Sequence, residues 1–244
     1  MKNRPNILIV NDDGIDAEGI VHLAAAACEL GDVWVAAPAR QCSAMSMKLS
    51  IFNKIAVREE SFPVPVKKAW RIGGTPADCV KLTLQCLLEE RPDFVFSGVN
   101  NGCNTGFDIA YSGTMGAAME ALMEGIPAIA FSKFEGGSFE VTDAYLLPLI
   151  RELTETPAKR NEVFNVNFPS CPRKECRGIR RTLPIAPTEM YKDKYEKSFL
   201  PDGTPAYKMI SPLIAPEQAP TGSDMRAVFD GYIAVGTVRC SVLN

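Results

Sequence analysis

The chain has a single histidine, His22, among its 244 residues, and its eight cysteines form no Cys-x-x-Cys pair. Zinc fingers need closely spaced cysteine and histidine ligands, and a Ser-His-Asp triad needs a histidine beside its nucleophile. His22 lies inside a helix-like stretch, which favours a surface or half-buried helix residue over a general base. We therefore expect neither kind of site, and we expect any catalysis to proceed without histidine.

Long apolar runs and an excess of basic charge are also missing. No apolar segment approaches the roughly 20 residues that cross a bilayer, and the net charge of −3 gives no electrostatic footprint for nucleic acid. The first apolar run, 7–10, is too short for a signal peptide and is followed at once by acidic residues. These absences predict a cytoplasmic protein with reduced cysteines, no membrane segment and no stable nucleic-acid complex.

The sequence does contain a regular alternation of strand and helix patterns. Continuous aliphatic runs are typical of strands that are buried on both faces. Strands that alternate with helices imply a mostly parallel sheet covered on both sides, which is the doubly wound α/β class. The predicted strands are 7–10, 33–37, 94–96, 127–131 and 163–166, and the predicted helices are about 17–30, 76–90, 113–123 and 139–153.

Two parts of the chain depart from this alternation. Residues 51–57 and 66–72 resemble short antiparallel strands, which we interpret as an excursion from the main sheet near 50–72. From about residue 170 onward, prolines, tyrosines and short β-like runs indicate an antiparallel C-terminal extension. We therefore predict an α/β core at 1–169 that carries the site, and a β-rich extension at 170–244 that serves oligomerisation.

Polar clusters follow three of the predicted strands. Residues 11–14, Asn-Asp-Asp-Gly, follow the first strand, and residues 41–43, Gln-Cys-Ser, lie in the loop after the second. A loop rich in glycine and asparagine, 98–106, follows the third. In open α/β sheets, ligands bind at the carboxyl ends of the strands, near the point where the strand order reverses. The three clusters are therefore expected to converge on one crevice.

Asp12 and Asp13 are adjacent carboxylates at the end of a strand. The two negative charges repel each other, and keeping both carboxylates ionised costs free energy unless a cation is bound. Mg²⁺ and Mn²⁺ favour carboxylate oxygens, with hydroxyl, amide and water oxygens completing the shell. The alternative is a simple turn, since all four residues of the cluster favour turns. The position in the fold and the downstream loop favour the metal site.

Two further segments suit an anion. Glycines at 98, 102 and 106 allow backbone N–H groups to approach a ligand closely, although a flexible surface loop is the alternative. Residues 111–114, Tyr-Ser-Gly-Thr, directly precede a predicted helix, where free N–H groups and hydroxyls make a phosphate seat. A plain N-cap explains the same residues. Because capping and anion binding are compatible, this second segment is weak evidence by itself.

Together the motifs resemble the SurE family of survival proteins, which are metal-dependent 5'-nucleotidases. The resemblance covers nearly the whole chain, with several motifs in the family's order. The matching runs are Asn11-Asp12-Asp13-Gly14-Ile15, Gly19-Ile20, Ala37-Pro38, Arg40, Ser43, Gly74-Thr75-Pro76-Ala77-Asp78-Cys79-Val80, Ser97-Gly98-Val99-Asn100, Gly102, Asn104, Tyr111-Ser112-Gly113-Thr114, Ala117-Ala118-Met119-Glu120, Asn165-Val166-Asn167-Phe168-Pro169, Gly222-Ser223-Asp224 and Asp230-Gly231-Tyr232.

This resemblance implies a Rossmann-like core and hydrolysis of nucleoside 5'-monophosphates, with other small phosphate monoesters as further substrates. It implies one divalent metal ion, Mg²⁺ or Mn²⁺, as cofactor. It also implies a homodimer or homotetramer in which C-terminal elements are exchanged between subunits. The implied metal ligands are Asp12, Asp13, Ser43 and Asn100, and the implied phosphate-binding residues are Asn104, Ser112, Gly113 and Thr114.

Three positions depart from the family's pattern. The family's loop after the second strand reads Ala-Pro-Asp-Arg-x-x-Ser-Gly, whereas this chain has Ala39 in place of the aspartate and Ala44 in place of the glycine. Asp16 stands where a histidine is frequent. Because Ser43 is retained, the ligand position survives, and we expect a difference in loop conformation or substrate contacts.

The resulting hypothesis is hydrolysis by a metal-activated water, with Asp12 or Asp13 as proton acceptor. The Asn104 amide and donors near Thr114 would stabilise the charge on the phosphoryl oxygens. An aspartyl-phosphate phosphatase would use Asp12 as a covalent nucleophile, but that chemistry usually separates its two acids by one residue. A non-catalytic nucleotide-binding module is the other alternative. A dehydrogenase is disfavoured because no Gly-x-Gly-x-x-Gly follows the first strand.

Overall fold

A computed structural model describes residues 4–156 and 158–243 of the chain. In this part of the chain, no helix combines the length and the apolar character that a membrane span requires. The strands are β1 (Asn6–Val10), β2 (Asp32–Pro38), β3 (Val57–Glu60), β4 (Lys68–Ile72), β5 (Phe94–Asn101), β6 (Ala128–Lys133), β7 (Glu162–Phe168), β8 (Ile179–Arg181), β9 (Lys194–Phe199), β10 (Pro205–Ile210) and β11 (Ile233–Arg239). The α-helices are α1 (Glu18–Cys28), α2 (Pro76–Leu82), α3 (Gly113–Met123), α4 (Glu140–Glu155) and α5 (Asp224–Phe229).

Nine of these strands form one sheet in the order β3-β4-β2-β1-β5-β6-β7-β11-β8. The six strands from β4 to β7 pair in parallel. At one edge β3 pairs antiparallel with β4, and near the other β11 pairs antiparallel with β7. The order of the parallel strands reverses between β1 and β5, which is the switch point of a doubly wound fold. The predicted fold, a mostly parallel α/β sheet with an antiparallel C-terminal extension, is confirmed.

Strand β1 is buried along its whole length, and its side chains alternate between two cores. Ile7 and Ile9 pack in the core that lies under α1 and α4. Leu8 and Val10 pack on the opposite face, in the core under α2 and α3. A strand covered on both faces requires a continuous aliphatic run, because neither face meets water. This burial holds the end of β1, and the residues that follow it, in a fixed place.

The structure corrects several predicted boundaries. Residues 51–53 form a turn and a bend, and the strand predicted at 51–57 begins only at Val57, the first residue of β3. Ile51 and Phe52 are exposed, so no sheet face buries them. The predicted excursion belongs to the main sheet, because β4 pairs with β2 and β3 pairs with β4. Strand β5 is longer than 94–96, with a register shift against β6 between Ser97 and Asn100. The helix predicted at 76–90 is α2 followed by a π-helical turn, Thr83–Leu87.

The C-terminal part of the chain contributes to the same sheet and to a separate hairpin. Strands β8 and β11 extend the sheet beyond β7, so they continue the core. Strands β9 and β10 pair with each other in a two-stranded sheet of their own. The division of the chain at 169/170, and the role of the second part in oligomerisation, stay predictions.

Candidate active site

The predicted polar clusters lie at the switch point of the sheet. Asp12 and Asp13 follow β1, and Asn100 lies near the end of β5, the neighbouring strand. The turn after β1 is fixed by Asn11, whose Nδ2 donates to the Gly14 carbonyl at 2.8 Å while its Oδ1 accepts from the Gly14 N–H at 3.2 Å. The cluster is therefore a turn in conformation, and this turn sits where doubly wound folds bind ligands.

Asp12 is anchored to the first turn of α3. Its side chain is 2% exposed; Oδ1 accepts from the Thr114 hydroxyl at 2.6 Å, and Oδ2 accepts from the Thr114 N–H at 3.1 Å. Burial raises the pKa of Asp12 to about 6, against the opposing effect of the Thr114 hydroxyl, and the charge of Asp13 adds to the rise. The carboxylate thus joins β1 to a helix N-terminus, where negative charge is favoured.

Asp13 points to the opposite side, toward the end of β5. Its Oδ2 accepts from the Asn101 N–H at 2.9 Å, and its Oδ1 lies 3.4 Å from Nε2 of Gln41. Burial raises the pKa of Asp13, while the Asn101 N–H and the charge of Lys133 act in the other direction. Asp13 is half-buried, so it is more accessible than Asp12.

Ser43 is connected to Asp13 through the side chain of Gln41, and Asn100 directly precedes Asn101, whose N–H donates to Asp13. The Gln41 amide that contacts Asp13 also donates to Oγ of Ser43 at 3.2 Å, so one side chain joins the two positions. Asn100 Nδ2 donates to the Gly102 carbonyl at 2.6 Å. The Asn100 amide oxygen accepts no hydrogen bond from the residues that the structure describes. It is therefore available as a ligand.

The donor set at this site fits a hard divalent cation. It offers carboxylate, hydroxyl and amide oxygens, and neither Asp12 nor Asp13 has a salt-bridge partner within the described ranges. No three His, Cys, Asp or Glu side chains cluster in that part of the chain, as a zinc site would need. Oxygen donors of this kind suit Mg²⁺ or Mn²⁺, ions that keep several of their waters. Two partly desolvated, adjacent carboxylates without an ion-pair partner in the described ranges are a favourable place for such an ion.

The start of α3 provides donors next to Asp12. Ser112 caps the helix, its Oγ accepting from the Met115 N–H at 3.0 Å. The Gly113 N–H has no acceptor among the described residues, so it is free for an anion. A Cβ at Gly113 would come within 2.9 Å of Asp12 Cβ and 3.0 Å of the Cys42 carbonyl oxygen. The close approach of the helix to the carboxylate therefore requires glycine here.

Asn104 occupies the centre of a buried amide cluster. Its Nδ2 donates to Ser132 Oγ at 2.8 Å, and its backbone N–H donates to Oδ1 of Asn167 at 2.7 Å. Its carbonyl oxygen accepts from the side chains of Asn165 and Asn167 at 2.8 and 3.1 Å. This network fixes the loop after β5. Asn165 and Asn167 were not identified as site-supporting residues, although their spacing of two along a strand puts them on one face.

Lys133 is the main residue that the sequence analysis missed. It is 5% exposed, and its Nζ donates to Asn101 Oδ1 at 2.8 Å and to the Gly137 carbonyl at 2.7 Å. Asn101 in turn donates its N–H to Asp13, so Lys133 supports the carboxylate through one intermediate residue. Burial lowers the pKa of Lys133. Its position in the sequence could have identified it. Lys133 is the last residue of β6, just as the polar clusters lie at the ends of β1 and β5.

In the part of the chain that the structure describes, the His22 ring and the cysteine thiols make no hydrogen bond to Asp12 or Asp13. His22, on α1, is half-buried; its Nδ1 lies 2.6 Å from Oδ1 of Asp143, and its ring stacks on Phe139 at 3.9 Å. All eight cysteines are free thiols. Cys42 and Cys103 are buried, and burial raises the pKa of both thiols, which disfavours the reactive thiolate.

Comparison with known proteins gives one consistent family. The family model described as "Survival protein SurE" matches residues 7–206. A protein of Synechococcus sp. (strain JA-3-3Ab) named 5'-nucleotidase SurE is 40% identical over 236 residues, which cover 94% of this chain and 90% of that protein. One of the same name from Gemmatimonas aurantiaca is 42% identical over 238 residues, with coverage of 94% and 90%.

A solved structure agrees with these sequence matches. The crystal structure of the SurE protein from Aquifex aeolicus is similar to this chain with a TM-score of 0.82 and 35% sequence identity. The alignment covers 98% of this chain and 95% of that one, so the C-terminal strands and hairpin fall within a similarity that spans nearly the whole fold.

Proposed function

We propose that this chain, which belongs to the SurE family and is a 5'-nucleotidase, depends on a metal ion for activity. We further propose that it hydrolyses nucleoside 5'-monophosphates and other small phosphate monoesters. The observation that carries this proposal is the position of Asp12 and Asp13. Asp12 is buried and Asp13 is half-buried at the switch point, neither has a salt-bridge partner among the described residues, and Asp12 contacts a helix N-terminus. A cation and a phosphate group are complementary to this arrangement.

Asp12, Asp13, the Ser43 hydroxyl and the Asn100 amide oxygen would hold the ion. A bound Mg²⁺ or Mn²⁺ lowers the pKa of water and balances phosphoryl charge. Asp12 is fixed by Thr114, and Asp13 by the Asn101 N–H, so neither carboxylate has to reorganise when the substrate binds. One of these two carboxylates accepts the proton of the attacking water.

The phosphate would lie against the start of α3. The free Gly113 N–H and the helix dipole favour its negative charge, and the Ser112 and Thr114 hydroxyls flank that N–H. Asn104 lies in the loop after β5, where its side chain is held by Ser132. These groups belong to rigid elements, which suits stabilisation of charge that develops on the phosphoryl oxygens.

The test is phosphate release from a panel of nucleoside 5'-monophosphates and other monoesters, with Mg²⁺, Mn²⁺ or a chelator present. We expect release only with a divalent ion, and Asp13→Asn should reduce it by at least 100-fold, because a single preorganised charged group contributes on that scale. Asp16→Asn is the control, since Asp16 is exposed and pairs with Arg71. Full activity of Asp13→Asn would refute the proposal.

Two further measurements, trapping of a phosphorylated protein and nucleotide binding, separate the two alternatives. A phosphorylated Asp12 trapped during turnover would indicate an aspartyl-phosphate phosphatase. Nucleotide binding without phosphate release would indicate a non-catalytic module. Both oxygens of Asp12 already accept hydrogen bonds from Thr114, which is unfavourable for a nucleophile.

We also propose that the protein is a cytoplasmic homodimer or homotetramer. Support for assembly comes from the β9–β10 hairpin, which leaves large apolar side chains in water. Such patches on a protein surface commonly mark interaction sites.

A further inference from the structure

A cavity of about 620 Å³ opens beside Asp13. It lies between the start of α1, the loop that carries Gln41, and the loop that joins β6 to α4. Its volume is in the range of roughly 300–1,000 Å³ that is typical of small-molecule sites. Because Asp13 forms part of its wall, the cavity adjoins the proposed metal site. The wall of this cavity, named the α1 cavity below, includes Asp13, Glu18, Gln41, Lys133, Ser138 and Phe139.

The α1 cavity is held open by contacts within the protein. Lys133 ties the β6–α4 loop to β5, because its Nζ bridges the Gly137 carbonyl and Asn101 Oδ1, and Asn101 Oδ1 also accepts from the Gly136 N–H at 3.3 Å. Phe139 ties the end of the same loop to α1 through its stacking on His22. A cavity with fixed walls needs little ordering when a ligand binds, so less affinity is lost.

The polar groups that remain unused in the α1 cavity match a sugar. The Glu18 side chain is 75% exposed, and its Oε1 lies 3.6 Å from Nε2 of His22. Ser138 is exposed, and its hydroxyl has no hydrogen-bond partner among the described residues. Carboxylates at this end of doubly wound sheets accept hydrogen bonds from ribose hydroxyls. Lys133, in the same wall, is engaged by Asn101 and the Gly137 carbonyl, so Glu18 and Ser138 are the polar side chains left for a ligand.

On the basis of the proposed function, we propose that the α1 cavity binds the nucleoside part of the substrate, with Glu18 accepting hydrogen bonds from the sugar hydroxyls. A second cavity, of about 590 Å³, is a competing location. It lies beside Ser112 and is lined mainly by apolar side chains, among them Met47, Phe107 and Met119. Neither Asp12 nor Asp13 is in its wall, and it offers no carboxylate to a sugar.

The first test fills each cavity in turn. Ser138→Trp narrows the α1 cavity, and Met119→Trp narrows the second cavity as the matched control. We expect Ser138→Trp to raise KM for adenosine 5'-monophosphate at least tenfold, while the inhibition constant of inorganic phosphate, which has no nucleoside, stays within about twofold. Met119→Trp should leave both constants unchanged. The proposal is overturned if Met119→Trp alone raises KM, if neither variant does, or if Ser138→Trp raises both constants equally.

The second test asks whether Glu18 contacts the sugar. Glu18→Gln should raise KM for adenosine 5'-monophosphate roughly tenfold, the usual effect of losing one charged hydrogen bond, and less for the 2'-deoxy substrate. An equal effect on the two substrates removes Glu18 from the sugar site. If no phosphate ester is hydrolysed, the proposed function itself is refuted. Calorimetry with adenosine then tests binding in the α1 cavity separately. Weaker binding by Ser138→Trp than by Met119→Trp then supports the α1 cavity, and equal binding refutes it.

Discussion

At the scale of single residues, Asp12 illustrates how burial makes stability depend on pH. Its pKa in the fold is raised to about 6, mainly by burial, whereas the carboxyl of an unfolded chain titrates near 4. Ionisation of Asp12 therefore opposes folding. Its stabilising contribution is complete below about pH 4 and is lost as the pH rises through about 6. A cation beside Asp12 favours the ionised form, so it would offset this loss.

We expect the increase in Tm caused by saturating Mg²⁺ to grow between about pH 4 and pH 6 and to level off above the pKa of metal-free Asp12, about 6, because the ion binds the ionised carboxylate. Thermal denaturation with Mg²⁺ and with chelator, across this range, measures the difference. Asp12→Asn, which removes a proposed ligand, should abolish the increase itself. Asp16→Asn should retain it, because Asp16 is exposed and Arg71 lowers its pKa. A Mg²⁺ effect that is constant with pH would contradict the assignment of Asp12.

Ala44 is a second residue whose environment makes a prediction. Its φ is +57°, in the left-handed region, and it stands where the family's pattern has glycine. The left-handed conformation costs an L-residue with a Cβ roughly 1 kcal/mol of strain, which glycine avoids. Ala44→Gly should therefore raise the free energy of unfolding by up to about 1 kcal/mol, or Tm by about 2–4 °C. Ala39→Gly, at a position without positive φ, should instead lower the free energy of unfolding. Chemical denaturation of both variants measures these changes.

At the scale of elements, the approach of α1 to β5 positions the walls of the site. Gly19 lies in the first turn of α1, and a Cβ there would collide with the carbonyl oxygen of Val99 in β5. Gly19→Ala should destabilise the protein by about 1–3 kcal/mol through overpacking, although alanine is the better helix former. Ala25→Gly, on the exposed side of the same helix, should cost about 1 kcal/mol by propensity alone. Urea denaturation of both variants distinguishes the effect of the steric contact with Val99 from that of helix propensity. An increase in stability of the Gly19→Ala variant would refute this packing.

The elements also show what a sequence can reveal. Strand β1 was predictable because both of its faces are buried, so periodicity alone identified it. Helix α2 has its own signal, since Thr75 and Asp78 form a capping box. The pairing of β4 with β2 was not predictable, because it depends on contacts across the sheet. The position of Lys133 at the end of β6 was a usable signal, but its contacts were not predictable, since its partners come from β5 and from the loop before α4.

At the scale of the whole molecule, the residues proposed for metal and phosphate lie at one end of the parallel strands. Asp12, Ser43, Asn100 and Thr114 lie on loops and ends that the single sheet brings together. The β9–β10 hairpin, by contrast, carries exposed apolar side chains and pairs with no other strand in the described ranges. Chemistry and assembly are therefore expected to be separable.

The hairpin allows this separation to be tested. Phe199 and Tyr207 are 65% and 61% exposed, and burial of two such aromatic side chains stabilises an interface by several kcal/mol, on the order of 2 each. The double variant Phe199→Ser, Tyr207→Ser should shift sedimentation from an oligomer toward the monomer, while kcat per chain stays within about threefold because the proposed machinery is intramolecular. Lys208→Ser is the matched control, since Lys208 is the next residue of β10 and points to the opposite face of the hairpin. An unchanged oligomer in the double variant would show that another surface forms the interface, whereas a loss of kcat parallel to dissociation would show that a neighbouring subunit completes the site.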